Sequence, residues 1–220
     1  HRSGAQHARQ LADECGGVAL PADLTVESDV DELVAAALSG LGGLDILVAN
    51  AGKYPTQPAT LWDMEYQRWR STMAANLDSV FLTCRAFLRH VVTTGTGTIV
   101  VTGSTAGWFG EAEHADYAAA KAALHGLVRS LKNELVRIAP TGRINLVAPG
   151  WTVTARNANM VTDEFVRRRT STMALPKVGR PEDVARVVVM LASDRVSGHV
   201  TGETVTVAGG MEGRLLRDPG

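Results

Sequence analysis

The 220-residue sequence has few cysteines, no excess of charge and no long apolar run. Its two cysteines, Cys15 and Cys84, lack the paired spacing of a zinc site or a disulfide framework, so no metal is expected. We interpret both as buried or partly buried thiols of a reducing, cytoplasmic compartment. The formal net charge of -1 argues against nucleic acid as a partner. No segment approaches the roughly 20 apolar residues of a membrane span, so no membrane partner is expected.

The sequence does contain short apolar runs that alternate with amphipathic stretches. Hydrophobic residues make up 45% and charged residues 20%, which is typical of a globular domain. We predict helices that begin at Pro181 and that cover residues 27–41, 76–90 and 117–137. The predicted strands are 18–22, 45–49, 97–102, 143–148 and 202–207.

This alternation predicts an α/β fold with a doubly wound parallel sheet of the Rossmann type. We expect three α/β/α layers and a single domain over residues 1–220. Ligands of such sheets bind beyond the carboxyl ends of the strands. Four polar or turn residues fall there: Asp23, Asn50, Ser104 and Pro149.

Tyr117 and Lys121 are the sharpest chemical signal in the chain. Residues four apart share one face of a helix, so the lysine ammonium favours the phenolate and lowers the tyrosine pKa from about 10. By itself, a tyrosine and a lysine at this spacing are usually surface residues without a catalytic role. Ser104 lies thirteen residues earlier, at the end of a predicted strand, where its hydroxyl can bind the substrate oxygen that Tyr117 protonates. The alternative for Ser104 is a turn or helix-cap serine.

Six features together resemble the short-chain dehydrogenase/reductase family: Asn50-Ala51-Gly52, Asn76, Ser104, Tyr117, Lys121 and Pro149-Gly150. Their order and spacing match over residues 23–210. The resemblance implies an NAD(P)-dependent enzyme that moves hydride between a nicotinamide and a small-molecule carbonyl or secondary alcohol. It also implies that Tyr117 is the general acid/base and that Ser104 positions the substrate oxygen. Lys121 would lower the tyrosine pKa and bind the nicotinamide ribose, and Asn76 would hold a water that links Lys121 to solvent.

The same resemblance implies further cofactor contacts. Asp23 and the adjoining Leu24 match the segment that contacts the adenine, although Asp23 also fits a helix cap or turn acid. Asn50-Ala51-Gly52 would pack against the adenine ribose. Pro149, Gly150, Thr152 and Thr154 match the stretch that contacts the nicotinamide amide, with Trp151 interpreted as packing.

The substrate pocket of the family is walled by two segments, here the one after Ser104 and a lid at about 155–175. Trp108, with the neighbouring Phe109, suggests an apolar substrate wall, or else core or interface packing. His114 touches substrate or lies at the surface. Three consecutive arginines, 167–169, suit an anionic group such as a phosphopantetheine carrier, although such a run on a lid helix is more often simply solvated. The nearest resemblance is to 3-oxoacyl-carrier-protein reductases and to polyol or sugar dehydrogenases.

No stretch of this sequence matches the glycine-rich phosphate loop of the family. The missing first strand, loop and second strand would lie at the centre of the sheet, beside unpaired backbone groups. We therefore expect an N-terminal extension that carries them. Arg2 is suitably placed to meet a 2′-phosphate, although a solvated arginine is at least as common at such a position. The cofactor is therefore expected to be NAD or NADP, with a slight preference for NADP.

Two readings besides a dehydrogenase remain open. One is a non-catalytic or truncated binding protein of the same fold, and the other is an epimerase of the extended branch, which normally adds a C-terminal substrate domain. The intact quartet of Asn76, Ser104, Tyr117 and Lys121 argues against the first. Relatives commonly assemble through their two long helices and last strand, so we expect a homotetramer or homodimer.

Overall fold

A computed structural model describes residues 5–155 and 157–213, and within them four parallel strands form one sheet. The strands are β1 (Ile46–Ala49), β2 (Thr98–Thr102), β3 (Arg143–Pro149) and β4 (Thr204–Val207), in spatial order β1-β2-β3-β4. The register pairs Val48 with Val100 and Val100 with Asn145. Because all four strands are parallel, their carboxyl ends meet at one edge of the sheet.

Helices connect and cover these strands. The α-helices are α1 (Ala5–Cys15), α2 (Glu27–Leu41), α3 (Tyr66–Met73), α4 (Ser79–Thr94), α5 (Ala106–Phe109), α6 (Ala115–Ile138), α7 (Asp163–Thr170), α8 (Pro181–Ala192) and α9 (Asp194–Ser197). A π-helical segment, Ala74–Asp78, joins α3 to α4 without a break, and Ala158–Met160 forms a 3-10 turn. None of the helices in the described residues is both long and apolar enough to cross a membrane.

The core lies on both faces of the sheet, because alternate strand residues point to opposite sides. On one face, Ile99 and Ile144 pack among α4 and α6 residues such as Phe87. On the other face, Val100 and Val147 pack against Leu191 of α8. The three-layer arrangement of a parallel sheet between helices is therefore confirmed.

Three local predictions need correction. Residues 18–22 form no strand, because within the described residues no neighbouring strand offers them ladder hydrogen bonds, and Pro21 lacks an N–H. The helix expected at 76–90 is α4, which ends at Thr94 and begins after the π segment. Cys15 is exposed, because α1 contributes no buried residue, whereas Cys84 is buried as predicted and burial raises the pKa of its thiol to about 12.

Candidate active site

Asn76 lies fully buried in the π segment between α3 and α4. Its Oδ1 accepts the N–H of Lys53 at 3.0 Å, and its Nδ2 donates to the carbonyls of Lys53 and Thr72 at 2.9 and 3.0 Å. Single-turn π segments are rare and recur at functional sites. Here the segment brings the Asn76 amide against the loop that follows β1, so the helix and the loop are fixed to each other.

Lys121 is buried on α6, with 3% of its surface exposed. Its Nζ donates to the carbonyl oxygen of Thr102, the last residue of β2, at 2.9 Å. Burial lowers the pKa of its ammonium to about 8. A Cβ added at Gly52 would lie 2.8 Å from Asn76 Oδ1 and 3.4 Å from Lys121 Nζ. The absence of a side chain at Gly52 thus lets the loop approach both groups.

Ser104 lies in the turn between β2 and α5. Its Oγ accepts the N–H of Ala106 at 3.1 Å, the turn-serine contact that the sequence offered as its alternative. An accepting hydroxyl keeps its own hydrogen for a second partner. The Thr105 N–H donates to the Pro149 carbonyl at 3.0 Å, and Gly107 packs against the Lys121 backbone, where a Cβ would lie 2.8 Å from a carbonyl carbon. The turn is therefore held between β3 and α6.

Tyr117, in the first turns of α6, lies in a cluster of aromatic rings with Tyr54 and His114. The Tyr54 ring meets the Tyr117 ring edge-on, with 5.1 Å between the centroids. The Nζ atom of Lys121 lies 5.8 Å from the centroid of the Tyr117 ring. Tyr54 also stacks on His114 at 4.7 Å, and its hydroxyl donates to Glu111 Oε1 at 3.0 Å. Sequence reasoning missed Tyr54. The only available signal was its place two residues after Gly52.

His114 is buried, with 8% of its surface exposed, so the surface position considered for it is wrong. Its Nδ1 and Nε2 lie 3.2 and 3.1 Å from the carbonyl oxygens of Ala112 and Pro55. These contacts bury the ring beneath Tyr54. Contact between His114 and a substrate stays a prediction.

A pocket of about 60 Å³ lies beside the carboxyl end of β1. It collects three of the predicted cofactor residues, Leu24, Asn50 and Ala51, and is completed by Val48, Ala49, Ser79, Val80 and Thr83. Asp23, one residue before Leu24, accepts from the Thr25 N–H and hydroxyl at 3.1 and 2.7 Å. Asp23 thus makes the turn contacts considered for it, at the margin of this pocket.

The segment after β3 brings Pro149, Gly150, Thr152 and Thr154 together. The Thr152 hydroxyl donates to the Gly150 carbonyl at 3.2 Å, and Asn157 Oδ1 accepts from the backbone and hydroxyl of Thr154 at 2.6 and 3.2 Å. Asn157 Nδ2 reaches the Thr152 carbonyl at 3.1 Å. Asn157, which the sequence did not single out, therefore fixes this loop.

Trp108 packs on His125, with 4.2 Å between the ring centroids and almost half of the tryptophan exposed. His125 Nδ1 faces the Thr204 hydroxyl at 3.2 Å, and burial followed by the charge of Arg129 lowers its pKa. This contact lies two helical turns along α6 from Tyr117. The packing alternative considered for Trp108 is therefore present, and its role as a substrate wall stays a prediction.

The three arginines of the predicted lid lie on α7. Arg169 places its guanidinium 3.8 Å from the Trp151 ring, so Trp151 packs against the lid as expected. Arg168 and Arg169 line a cleft of about 260 Å³ together with Thr162, Glu164 and Phe165. Arg167 is exposed. Arg2, on which the preference for NADP depends, lies outside the described residues.

Comparisons with known proteins identify similar chains of one enzyme class. The sequence model of the enoyl-(acyl carrier protein) reductase family matches residues 1–212. A 3-oxoacyl-[acyl-carrier-protein] reductase of Vibrio cholerae is 37% identical over 213 residues, which cover 95% of this chain and 83% of the relative. A cis-4-hydroxycyclohexanecarboxylate dehydrogenase of Sinomonas cyclohexanicum is 37% identical over 86% of this chain and 74% of the relative.

A solved structure extends this similarity to the fold. The 7α-hydroxysteroid dehydrogenase complexed with NADH and 7-oxo glycochenodeoxycholic acid superposes with a TM-score of 0.86 at 29% identity. The match covers 97% of this chain and 83% of that one. The similar proteins are thus reductases and dehydrogenases, and the solved steroid dehydrogenase shares this fold.

Proposed function

The chain belongs to the short-chain dehydrogenase/reductase family of NAD(P)-dependent oxidoreductases, and from this premise we propose that Tyr117 is its general acid/base. The observation that supports this role is the burial of Lys121 on the same helix face as Tyr117, with its Nζ 5.8 Å from the tyrosine ring. Hydride transfer to a carbonyl leaves an alkoxide that needs a nearby proton donor. Tyr117 gives this proton in reduction and takes it back in oxidation.

Ser104 supports Tyr117 by donating a hydrogen bond from its hydroxyl to the same substrate oxygen. Its Oγ already accepts from the Ala106 N–H, which leaves the hydroxyl hydrogen available to donate. The turn is anchored to β3 and α6, so the donor is positioned before substrate arrives.

Lys121 and Asn76 carry the proton onward. The Lys121 ammonium, with a pKa lowered to about 8 by burial, exchanges protons near neutral pH more readily than an exposed lysine. The side-chain amide of Asn76 is committed to Lys53 and Thr72. Its backbone carbonyl, in the π segment, is therefore the group that we assign to the relay water.

Two features at the sheet edge support our proposal of a nicotinamide dinucleotide site. Gly52 has no side chain that would separate the loop from Asn76 and Lys121, and a pocket opens beside β1. When bound there, the nicotinamide would supply or accept the hydride. The adenosine end would be held by Asp23, Leu24, Asn50, Ala51 and Gly52, the ribose by Tyr117 and Lys121, and the amide by Pro149, Gly150, Thr152 and Thr154.

Fluorescence titration of the purified protein with NADH and with NADPH tests the proposal. Binding of at least one of the two is expected. Tighter binding of NADPH would agree with the role considered for Arg2, whereas the structure of the similar steroid dehydrogenase was solved with NADH. A control titration with AMP separates binding of the adenosine end from binding of the whole dinucleotide. Failure of both dinucleotides to bind would favour the alternative of a non-catalytic or truncated binding protein of the same fold.

The substrate is a small carbonyl or secondary alcohol, and we propose a compound with an anionic group. Arg168 and Arg169 beside the lid cleft support this choice, as do the acyl-carrier and carboxylate substrates named for the two relatives. A 3-oxoacyl thioester and cis-4-hydroxycyclohexanecarboxylate are the first compounds to test for turnover.

Location in the cytoplasm stays a prediction from cysteine usage.

We further propose a homotetramer. On one side of the sheet, Phe81 of α4 and Val136 of α6 are exposed apolar residues, and on the other side Val189 and Met190 of α8 are exposed. Burial of each group against a second subunit would be favourable, which gives two separate candidate interfaces. Sedimentation velocity at micromolar concentration should therefore give a tetramer. Val136→Glu and Val189→Glu should each reduce it to dimers, because each charge lies in one face. A monomeric wild-type protein would contradict the proposal.

A further inference from the structure

A buried carboxylate lies immediately before Tyr117. Asp116, in the first turn of α6, has no exposed surface. Arg68 donates to it from Nε at 3.0 Å and from Nη2 at 3.3 Å, and the Thr72 hydroxyl donates at 2.8 Å. A buried charge persists only with such partners.

The carboxylate stays ionised despite its burial. Loss of solvent by itself would raise the pKa of Asp116, but donors from Arg68, from Thr72 and from the Tyr117 backbone, with the charge of Arg68, hold that pKa below its ordinary value. The negative charge and its hydrogen bonds are therefore present at neutral pH. They connect α3, which carries Arg68 and Thr72, to the first turn of α6.

Arg68 also fixes the loop that leads into α6. Its Nη1 donates to the Gln57 carbonyl at 2.6 Å and its Nη2 to the Glu113 carbonyl at 3.2 Å. Glu113 has a φ of 65°, a left-handed conformation that is unfavourable for a residue with a side chain. Such strain persists where surrounding contacts impose it, and it clusters at functional sites. The backbone entering α6 is thus imposed by contacts from α3 and the loop after β1.

Thr72 connects this network to the other side of the site. Its hydroxyl donates to Asp116, while its backbone carbonyl accepts from Asn76 Nδ2 at 3.0 Å. A single residue therefore touches both the carboxylate that precedes Tyr117 and the amide that holds the Lys53 loop. Asp116 and Thr72 are both buried, and Thr72 is hydrogen-bonded to Asp116 on one side and to Asn76 on the other.

We propose that Asp116, held by Arg68 and Thr72, is a positioning residue that fixes Tyr117 on α6 relative to Asn76 on the neighbouring helix. The inference rests on the acid/base role proposed for Tyr117. Proton transfer depends steeply on donor placement, and a displacement of about 1 Å can cost about 100-fold in rate. Loosening the network therefore lowers turnover without removing any group that touches substrate or cofactor.

Thr72→Val tests the inference with a side chain of the same shape that lacks the hydroxyl, and Thr72→Ser restores the donor. Asp116→Asn is less suitable, because removing one partner of a buried ion pair leaves the other uncompensated and can unfold the protein. The control is Asp194→Asn, which disrupts the Arg143–Asp194 pair (2.6 Å) between β3 and the first residue of α9. The carboxylate of Asp194 is largely exposed, and the Arg143 guanidinium keeps the carbonyls of Leu191 and Ser197 as acceptors. For each variant we would measure steady-state kinetics with whichever of the 3-oxoacyl thioester and cis-4-hydroxycyclohexanecarboxylate the wild type turns over. Cofactor titration and thermal unfolding complete the measurements.

In Thr72→Val, kcat should fall about 10-fold, while KM and the cofactor Kd stay within about twofold of wild type. Thr72→Ser should recover most of kcat, and Asp194→Asn should lower the unfolding temperature without lowering kcat. Equal turnover in Thr72→Val and wild type, with Tyr117→Phe inactive, would overturn this inference alone. Full turnover in Tyr117→Phe would overturn the proposed function and this inference with it.

Discussion

Replacing Tyr117 with phenylalanine is expected to lower turnover by about 10²–10⁴-fold, the usual contribution of a positioned acid or base. The substitution removes one hydroxyl and keeps the ring, so the edge-on contact with Tyr54 at 5.1 Å survives. The proton that the alkoxide needs then has no donor at this position. The measurement is kcat under saturating cofactor, together with the cofactor Kd, which should change little.

Tyr66→Phe is the matched control, because Tyr66 loses the same hydroxyl while 71% of its surface is exposed at the start of α3. Its kcat should equal that of wild type. Native turnover in Tyr117→Phe, with native cofactor binding, would show that another group transfers the proton. A loss of cofactor binding in this variant would instead point either to the ribose contact proposed for Tyr117 or to a structural defect, and thermal unfolding of the variant distinguishes the two.

Replacing Lys121 with methionine is expected to abolish most turnover, by about 10²-fold or more, and to change how stability depends on pH. Burial lowers the pKa of Lys121 from 10.5 to about 8, so the unfolded chain binds this proton more tightly than the folded chain. Below about pH 8 both states hold the proton, and the destabilisation by burial is fully present. Between about pH 8 and 10.5 the folded protein loses the proton first, and the free energy of unfolding rises with pH.

The size of this rise is on the order of 3 kcal/mol, from a shift of this magnitude at 1.36 kcal/mol per pKa unit. Urea unfolding of wild type and Lys121→Met across this pH range measures it as a difference between two curves. Lys132→Met, a partly exposed position on the same helix, is the control and should run parallel to wild type. Parallel curves for wild type and Lys121→Met would contradict a lowered pKa at Lys121.

The sequence determined the framework of the fold because short-range patterns carry it. The apolar run at 97–102 and the periodicity of 27–41 correspond closely to β2 and α2, since each element is stabilised by burying the face that its pattern defines. The spacing of Tyr117 and Lys121 also placed both on one helix, as α6 has them. The family and the class of reaction were implied by the resemblance of a set of motifs to short-chain dehydrogenases, and the comparisons confirm both.

Other features depended on partners far away in the chain. Residues 18–22 had the pattern of a strand, but a strand is held by its neighbour, and no neighbour for them lies within the described residues. The π segment at Asn76 gives no periodic signal that separates it from an α-helix. His114 is buried because Tyr54 covers it, sixty residues earlier.

The Asp116 network illustrates the limit most clearly. From sequence, Asp116 is an acid one residue before the predicted helix at 117–137, where an exposed carboxylate is common because it favours the helix dipole. Only the tertiary structure brings Arg68 and Thr72 onto it across 48 and 44 residues of sequence. Local patterns predicted most of the elements that form, and the family resemblance indicated the residues to which we assign the chemistry. The packing of α3 against α6 decided how those residues are held, because that contact joins surfaces that no local pattern relates.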